Sequence, residues 1–193
     1  IKGAKKAGIN VIPSRLSVLT KRINNERGLC FYCGQCERSC SVYGDFSASS
    51  CYVIPSLKGG FVDLYTDSMV REITTDKNGR ATGISYVNKK NGKEYKLESK
   101  LVILGASSCS SARILLNSKS NAHPNGLGNS SGLIGKYLQD TVGTSKQIFI
   151  PELMNRETYN EDGVGGAHVY TPWWLHDKKL DFPLGYHIET SYR

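Results

Sequence analysis

The sequence predicts an α/β fold in which a three-stranded antiparallel meander is followed by a buried strand and a helix. Two hairpin signals, Asn78-Gly79 and Asn91-Gly92, separate three strand-like segments. A continuous apolar run, Leu101 to Leu104, comes next and is followed by small residues and the helical segment ARILLNSK. Short runs of this kind are typical of parallel strands that are buried on both faces. We therefore expect an α/β, or α+β, arrangement.

Shorter elements are predicted on either side of this block. INVIPSRLSV is β-prone, and Pro13 limits it to an edge or an end of a sheet. A helix is expected from about Ser49 to Leu57, with Pro55 interrupting it and Gly59-Gly60 ending it. Downstream we expect a short helix ending near Asp140, a strand in TVGTSKQIFIPEL, a loop in MNRETYNEDGVGGAHVYTPWW and a last strand in LDFPLGYHIET.

The junction between the buried strand and the helix is a candidate ligand site. Gly105, Ala106 and Ser107 follow the strand and allow a ligand to approach the backbone closely. Ser110 or Ser111 is predicted to cap the helix, with Arg113 in its first turn. An ordinary strand–helix junction explains the same residues and is the alternative.

Four cysteines form the most specific chemical pattern in the chain. Cys30, Cys33, Cys36 and Cys40 make a C-x2-C-x2-C-x3-C run, the bacterial ferredoxin spacing except that Ser41 stands where proline is usual. Thiolates suit iron–sulfur clusters or zinc. We favour an iron–sulfur centre, with zinc, disulfides or unligated thiols as alternatives. Cys51 lies apart and is expected to be a small buried side chain.

Composition narrows the range of partners. The chain has 193 residues, enough for one or two domains, and no apolar run long enough to span a membrane. The formal net charge is +8, but the lysines are scattered and no nucleic-acid motif accompanies them. We expect no nucleic-acid partner. The chain begins at Ile1 and reads as a piece of a longer protein.

The order of three segments resembles the glucose–methanol–choline (GMC) oxidoreductases. VILGASSCSSARILLNS is similar to that family's VILAAGAIGSPRLLLLSG, and LGNSSGLIGKYLQD to its GIGNS…LVGRNLQDH. DLYTDSMVREITTDKNGRATGISYV resembles LTVRTNALVTRILLDGGRATGVEYV. The cysteine run looks like that of a bacterial subset with a built-in iron–sulfur centre. The resemblance covers most of Pro13 to Thr144.

The resemblance implies part of an FAD-binding Rossmann-like domain. It suggests a cysteine-rich cluster segment over 1–60, the late part of the FAD domain over 61–144 and the start of an antiparallel-sheet substrate domain over 145–193. Val70 matches the position whose backbone meets the adenine end of FAD. Gly105, Ala106 and Ser107 match the segment along the cofactor. Three features depart from the family's usual sequence pattern: Gly-Ala-Ser at 105–107, Cys109 and Thr141.

The implied activity is oxidation of an alcohol carbon of a sugar or related polyol, with hydride passing to FAD. Electrons would leave through a [3Fe-4S] or [4Fe-4S] cluster on Cys30, Cys33, Cys36 and Cys40 to a cytochrome or quinone. A bacterial periplasmic location is expected, with the cytoplasm as alternative. A non-catalytic binding domain with a structural zinc site is the rival function; a plain ferredoxin fails on chain length.

Several parts of the family pattern are not found in this sequence. No G-x-G-x-x-G loop is present, and GVGG at 163–166 lacks the flanking strand and helix. No catalytic base is assigned. Three aromatic side chains could line a sugar pocket, but core or surface packing is the preferred interpretation of Tyr170, Trp173 and Trp174. Four histidines are candidates for the base by residue type alone: His123, His168, His176 and His187.

Overall fold

The computed structural model of the chain describes residues 1–13, 16–33, 36, 38–155, 168–172 and 185–191. Two compact units are formed. The first combines Ile1–Asp63 with Ile148–Arg193, and the second is Leu64–Gln147. We call the second one the meander unit and the first one the cysteine unit. The mixed α/β composition is confirmed, and each unit contains one antiparallel sheet of three strands.

The meander unit contains the predicted three-stranded sheet. Its strands are β2 (Ser68–Thr75), β3 (Ala81–Asn88) and β4 (Glu94–Glu98), each antiparallel to the next. Both turns depend on a glycine in the left-handed region, Gly79 at φ 79° and Gly92 at φ 67°. Glycine reaches this region without the Cβ clash that other residues suffer. The hairpin predictions are thus confirmed.

A β-bulge in β2 decides which side chains face the helix. Val70 pairs with Tyr86, and the next pair is Glu72 with Ser85, so Arg71 has no partner in the ladder. Residues three apart normally point to opposite faces of a strand. The extra residue places Val70 and Ile73 along one cavity. Arg71 instead reaches Glu94, with Nη1 3.0 Å from Oε2.

The core of the meander unit lies between β2 and the helix α3 (Ser108–Asn117). Ile73 and Ile114 are buried, as is Ser118 immediately after the helix. The Ser118 hydroxyl accepts a hydrogen bond from the Ile73 N–H at 2.8 Å and donates one to the Ile114 carbonyl at 2.6 Å. A single buried hydroxyl therefore fastens the end of α3 to the middle of β2.

Ser118→Ala is expected to destabilise the meander unit by about 1–3 kcal/mol, because the buried Ile73 N–H would lose its acceptor. The measurement is urea unfolding of the full-length protein followed by circular dichroism. Ser108→Ala is the matched control, because Ser108 is exposed and lies in the first turn of the same helix. Equal unfolding midpoints for the two variants would contradict the proposed role of the hydroxyl.

The prediction of a doubly buried strand at Leu101 to Leu104 is wrong. These residues are not in a strand, and Leu101 and Ile103 are 73% and 85% exposed. A buried parallel strand needs neighbouring strands on both edges. No described strand of this chain pairs with this segment. The Rossmann-like parallel sheet implied by the resemblance is therefore not seen among the described residues.

The start of α3 also differs from the prediction. The helix begins at Ser108 with Ser107 as its N-cap residue, so Ser110 and Ser111 lie inside the helix. Ser107 has φ 64° and ψ 170° and makes no side-chain capping hydrogen bond. The chain reverses through the backbone conformation of Ser107, and the helix therefore starts earlier than a capping serine would indicate.

The cysteine unit contains a sheet in the order β1, β5, β6. Its strands are β1 (Ile12–Pro13), β5 (His168–Pro172) and β6 (His187–Ser191). Pro13 lies on an edge strand, as predicted, and β6 confirms the last predicted strand. β5 falls within a segment predicted to be a loop, so that prediction is wrong for 168–172.

Helices in the cysteine unit are short. α1 covers Lys2–Lys6; a π-helical turn, Ser49–Val53, continues into α2 (Ile54–Lys58), which ends at Gly59. The helical segment predicted near 49–57 is thus confirmed, but Pro55 lies in the first turn of α2 and does not interrupt it. A short 3-10 turn forms at Pro151–Leu153. No helix among the described residues is long and apolar enough to cross a membrane.

Two predicted elements that lie in sequence between α3 and β5 are absent from the described residues. The stretch before Asp140 forms turns rather than a helix, with Gly128, Gly132 and Gly135 at positive φ. These conformations are incompatible with helix continuation. Residues 141–150 form no strand, and the side chains of Ile148 and Phe149 are 81% and 71% exposed. Their apolar pattern finds no partner strand in the described chain.

Candidate functional site

A cavity of about 600 Å³ in the meander unit brings three of the four predicted FAD-binding residues together. Val70 lies on its β2 wall, while Gly105 and Ala106 lie on the opposite segment between β4 and α3. Sequence-distant residues are thus brought to one place. Ser107 does not line the cavity; it makes the backbone reversal that starts α3. Cavities of this volume are typical of small-molecule sites.

The cavity wall is mainly apolar, with one cation at its side. Ile73, Ile84 and Ile114 form part of the apolar wall. Arg113 also lines it, is exposed, and has no described ion pair. No carboxylate of the described residues lines the cavity. An apolar surface with one unpaired guanidinium suits a flat ring attached to an anionic group, because guanidinium groups bind phosphate strongly.

The segment that precedes α3 offers unused backbone groups to the cavity. The backbone N–H and C=O groups of residues 102–105 make no hydrogen bond within the described part of the chain. A Cβ atom added at Gly105 would meet nothing within 4 Å. Folded proteins rarely leave such groups without partners. The lining residues and the open backbone together fit one end of a dinucleotide such as FAD.

Arg113 and Ser110 are two polar lining residues whose role in the cavity the sequence does not indicate. The sequence predicts Arg113 in the first turn of the helix and Ser110 as a possible cap. The helix begins two residues before Ser110, so both side chains belong to the helix surface and line the cavity. The helical repeat of three places them on one face, a signal that becomes informative only when the start of the helix is known.

The base of the cysteine loop is closed by backbone hydrogen bonds. Gly28 N–H donates to the Val42 carbonyl at 2.7 Å, and Cys30 N–H donates to the Leu19 carbonyl at 3.0 Å. Leu19 N–H in turn donates to the Gly44 carbonyl at 2.7 Å. The three chain segments therefore run side by side, and the residues between Cys30 and Val42 form a loop with its ends tied together.

Arg27 strengthens this closure from the side. Its Nε donates to the Tyr43 carbonyl at 3.0 Å and its Nη2 donates to the Asp45 carbonyl at 2.7 Å. Close contacts disfavour a side chain at Gly28 and Gly44: a Cβ at Gly28 would lie 2.8 Å from Cβ of Val42, and one at Gly44 would lie 3.2 Å from the Gly28 carbonyl oxygen. Small residues and one arginine thus hold the loop ends in contact.

The four thiols are not gathered at one centre. Cys30 and Cys40 are half-buried, and Cys33 and Cys36 are exposed. Among the described residues, no three Cys, His, Asp or Glu side chains are placed to hold a metal ion. Cys40 Sγ accepts a hydrogen bond from Gly44 N–H at 3.3 Å. The soft thiolate set suits a cluster by its chemistry, but the geometry does not assemble one, and the cluster remains a prediction.

His123 and His187 have side-chain contacts that fit a structural role. His123 Nε2 lies 3.1 Å from the Gly79 carbonyl oxygen, which connects the 121–126 loop to the first hairpin turn. His187 Nε2 lies 3.2 Å from Glu189 Oε1 on β6. His168 belongs to β5, and Tyr170 of the same strand forms an edge contact with the His187 ring.

Cys51 is half-buried rather than buried, with Sγ 3.7 Å from Ser50 Oγ. Four predicted features lie outside the described residues: His176, Trp173, Trp174 and the GVGG segment at 163–166.

Comparison with known proteins identifies the family. Residues 1–142 match the GMC oxidoreductase family. Over 130 residues the chain is 32% identical to the 2-methyl-1,2-propanediol dehydrogenase of Mycolicibacterium austroafricanum. That match covers 67% of this chain and 23% of the dehydrogenase. The chain belongs to the GMC oxidoreductases, a family of FAD-dependent enzymes that act on CH–OH donors.

Proposed function

We propose that the protein containing this chain is an FAD-dependent dehydrogenase that oxidises an alcohol carbon. The observation that carries this proposal is the meeting of Val70, Gly105 and Ala106 around one cavity, in a chain of this family. FAD, when bound, supplies the acceptor for a hydride from the substrate carbon. The catalytic base and the substrate pocket are not assigned to residues of this chain.

In this proposal, the described residues position one end of FAD. Val70 and Ala106 provide apolar contact, and the unused backbone groups at 102–105 provide hydrogen bonds. Arg113 provides a positive charge at the side of the cavity that opposes the charge of a phosphate. The bulge at Arg71 contributes indirectly, because it turns Val70 towards the cavity.

We propose a polyol or sugar as the substrate. The related enzyme is named as a dehydrogenase of 2-methyl-1,2-propanediol, which supports the polyol part of this range. We further propose an iron–sulfur cluster on Cys30, Cys33, Cys36 and Cys40 that passes single electrons to a cytochrome or quinone. The cysteine spacing and the tied base of the loop support this part of the proposal. A periplasmic location is likewise proposed.

Gly105→Ala tests the cofactor site. The added methyl group meets nothing within 4 Å in this chain, so it should leave stability unchanged. If FAD lies against the Gly105 backbone, the methyl group should weaken FAD binding by about tenfold, a loss of roughly 1.4 kcal/mol. The measurement is FAD titration of the full-length apoprotein by flavin fluorescence, with thermal unfolding of the same sample.

Gly143→Ala is the matched control, because a Cβ there also meets nothing within 4 Å and Gly143 is remote in sequence from the cavity lining. It should retain FAD affinity. Unchanged FAD affinity in Gly105→Ala would remove the segment from the cofactor site. A fall in unfolding temperature without weaker binding would assign Gly105 a structural role.

A further inference from the structure

A second depression in the meander unit, of about 540 Å³, lies where α3 ends. Its walls include Leu116 and Lys119 from the end of α3 and the residues after it, and Lys136 from the turns that follow. It shares no lining residue with the cavity proposed for FAD. Lining residues of the FAD cavity on α3 are Ser110, Arg113 and Ile114, nearer the start of the helix. The two sites are therefore separate.

The lining of this depression is cationic. Lys119 and Lys136 both contribute, no carboxylate does, and neither lysine has an ion pair within the described residues. Both ammonium groups attract an anion that binds in the depression. Lysine is a frequent phosphate ligand as a point charge.

Neutral hydrogen-bond donors complete the lining. Ser130 and Ser131 lie between the two lysines in sequence and line the same depression. Their backbone N–H groups make no hydrogen bond within the described part of the chain. Successive unpaired N–H groups in a turn form a common anion-binding arrangement. Asn129 is already engaged, since its Oδ1 accepts from Ile134 N–H and its Nδ2 donates to the Asn125 carbonyl.

The wall is built before any ligand arrives. Leu127 N–H donates to the Leu115 carbonyl at 2.9 Å, which ties the turns to α3. Gly126 has φ 103°, and a Cβ there would lie 2.8 Å from the Leu115 carbonyl oxygen, so the turn must carry glycine to approach the helix. Asn129 is buried and fixes the next turn through two hydrogen bonds. Such a framework holds the donors in place.

We propose that this depression binds a phosphate group, with Lys119 and Lys136 as its cationic ligands and Ser130 and Ser131 as hydrogen-bond donors. The occupant is inorganic phosphate. This site is independent of the proposed alcohol dehydrogenase activity. The two cavities share no lining residue, so we assign the phosphate to a ligand other than FAD, and the experiment tests this assignment directly.

The experiment is calorimetric titration of the full-length holoenzyme with inorganic phosphate at constant ionic strength. Chloride replaces phosphate in the reference titration. The double variant Lys119→Gln/Lys136→Gln should weaken phosphate binding by about tenfold or more, since both point charges are removed. The matched control is Lys77→Gln/Lys89→Gln, which removes the same charge from exposed hairpin positions of the same unit and should retain binding within about twofold.

Three outcomes would overturn the proposal. The first is phosphate binding no stronger than chloride binding. The second is phosphate binding equally weakened in both double variants, which would show only a general effect of net charge. The third is loss of FAD from Lys119→Gln/Lys136→Gln, which would assign the lysines to the cofactor. Thermal unfolding of both variants, with circular dichroism, verifies that each is folded, and Lys119→Arg/Lys136→Arg should keep phosphate binding.

Discussion

Cys33→Ala in the full-length protein is expected to remove the iron–sulfur cluster and to leave FAD bound. Cys33 is exposed, so its side chain is not needed for packing, and its removal takes away one of four soft ligands. Turnover with a one-electron acceptor should fall by roughly two orders of magnitude, a barrier increase of about 2.7 kcal/mol. The measurements are iron, acid-labile sulfide and FAD per protein, and the rate with ferricyanide.

Cys109→Ala is the control for this experiment. Cys109 is also exposed but lies on α3, outside the run of four cysteines. The Cys109→Ala variant should keep its iron, its acid-labile sulfide and its rate with ferricyanide. Iron, sulfide and turnover that persist in Cys33→Ala would refute Cys33 as a ligand. Zinc without sulfide in the unaltered protein would instead support the structural zinc site, and Cys33→Ala would then lose zinc and loop structure.

Local patterns in the sequence were sufficient to predict the three-stranded meander. Asn78-Gly79 and Asn91-Gly92 specify tight turns by their own backbone preferences, and the strands between them pair with their immediate neighbours. The helix at 54–58 ends at Gly59 for a similarly local reason. Elements whose partners are adjacent in sequence need no information from elsewhere in the chain.

Long-range partners explain the wrong predictions. The run Leu101 to Leu104 has the composition of a buried strand, but a strand forms only where another one offers hydrogen bonds. Conversely, β5 forms because its backbone pairs with β1 and β6, although its sequence, HVYTP, lies beside Gly- and Trp-rich segments that read as a loop. Neither result follows from the residues of the segment itself.

The candidate FAD residues come from the resemblance and not from a physical pattern. Val70 and Gly105 are far apart in sequence but line the same cavity. Their position there depends on the bulge at Arg71, which no turn pattern in the sequence predicts. Likewise, the closure of the cysteine loop uses Leu19, which lies before the run, and Gly44, which lies after it. The spacing of the four cysteines indicates a ligand set, whereas the contacts that hold the loop ends together are visible only in the fold.

Gly83→Ala is expected to cause the largest loss of stability in the meander unit. Gly83 lies in β3, where it pairs with Thr74 on one side and Glu98 on the other. An added Cβ would fall inside the contact distance of the Leu97 carbonyl oxygen and 2.9 Å from Cα of Glu98. Both are backbone atoms of β4, so no side-chain rotation relieves the clash. Overpacking of this kind costs roughly 3 kcal/mol.

The loss of stability should be confined to the pairing between β3 and β4, so the test can locate the loss as well as measure it. Urea unfolding of the full-length variant gives the size of the loss, and amide hydrogen exchange of Glu94 to Glu98 gives its location. Gly92→Ala is the graded control: Gly92 has φ 67° but open space around a Cβ, so conformational strain alone should cost about 1 kcal/mol. A Gly83 variant no less stable than Gly92→Ala would mean that β4 can move aside, and that its register with β3 is not fixed by close backbone contact at Gly83.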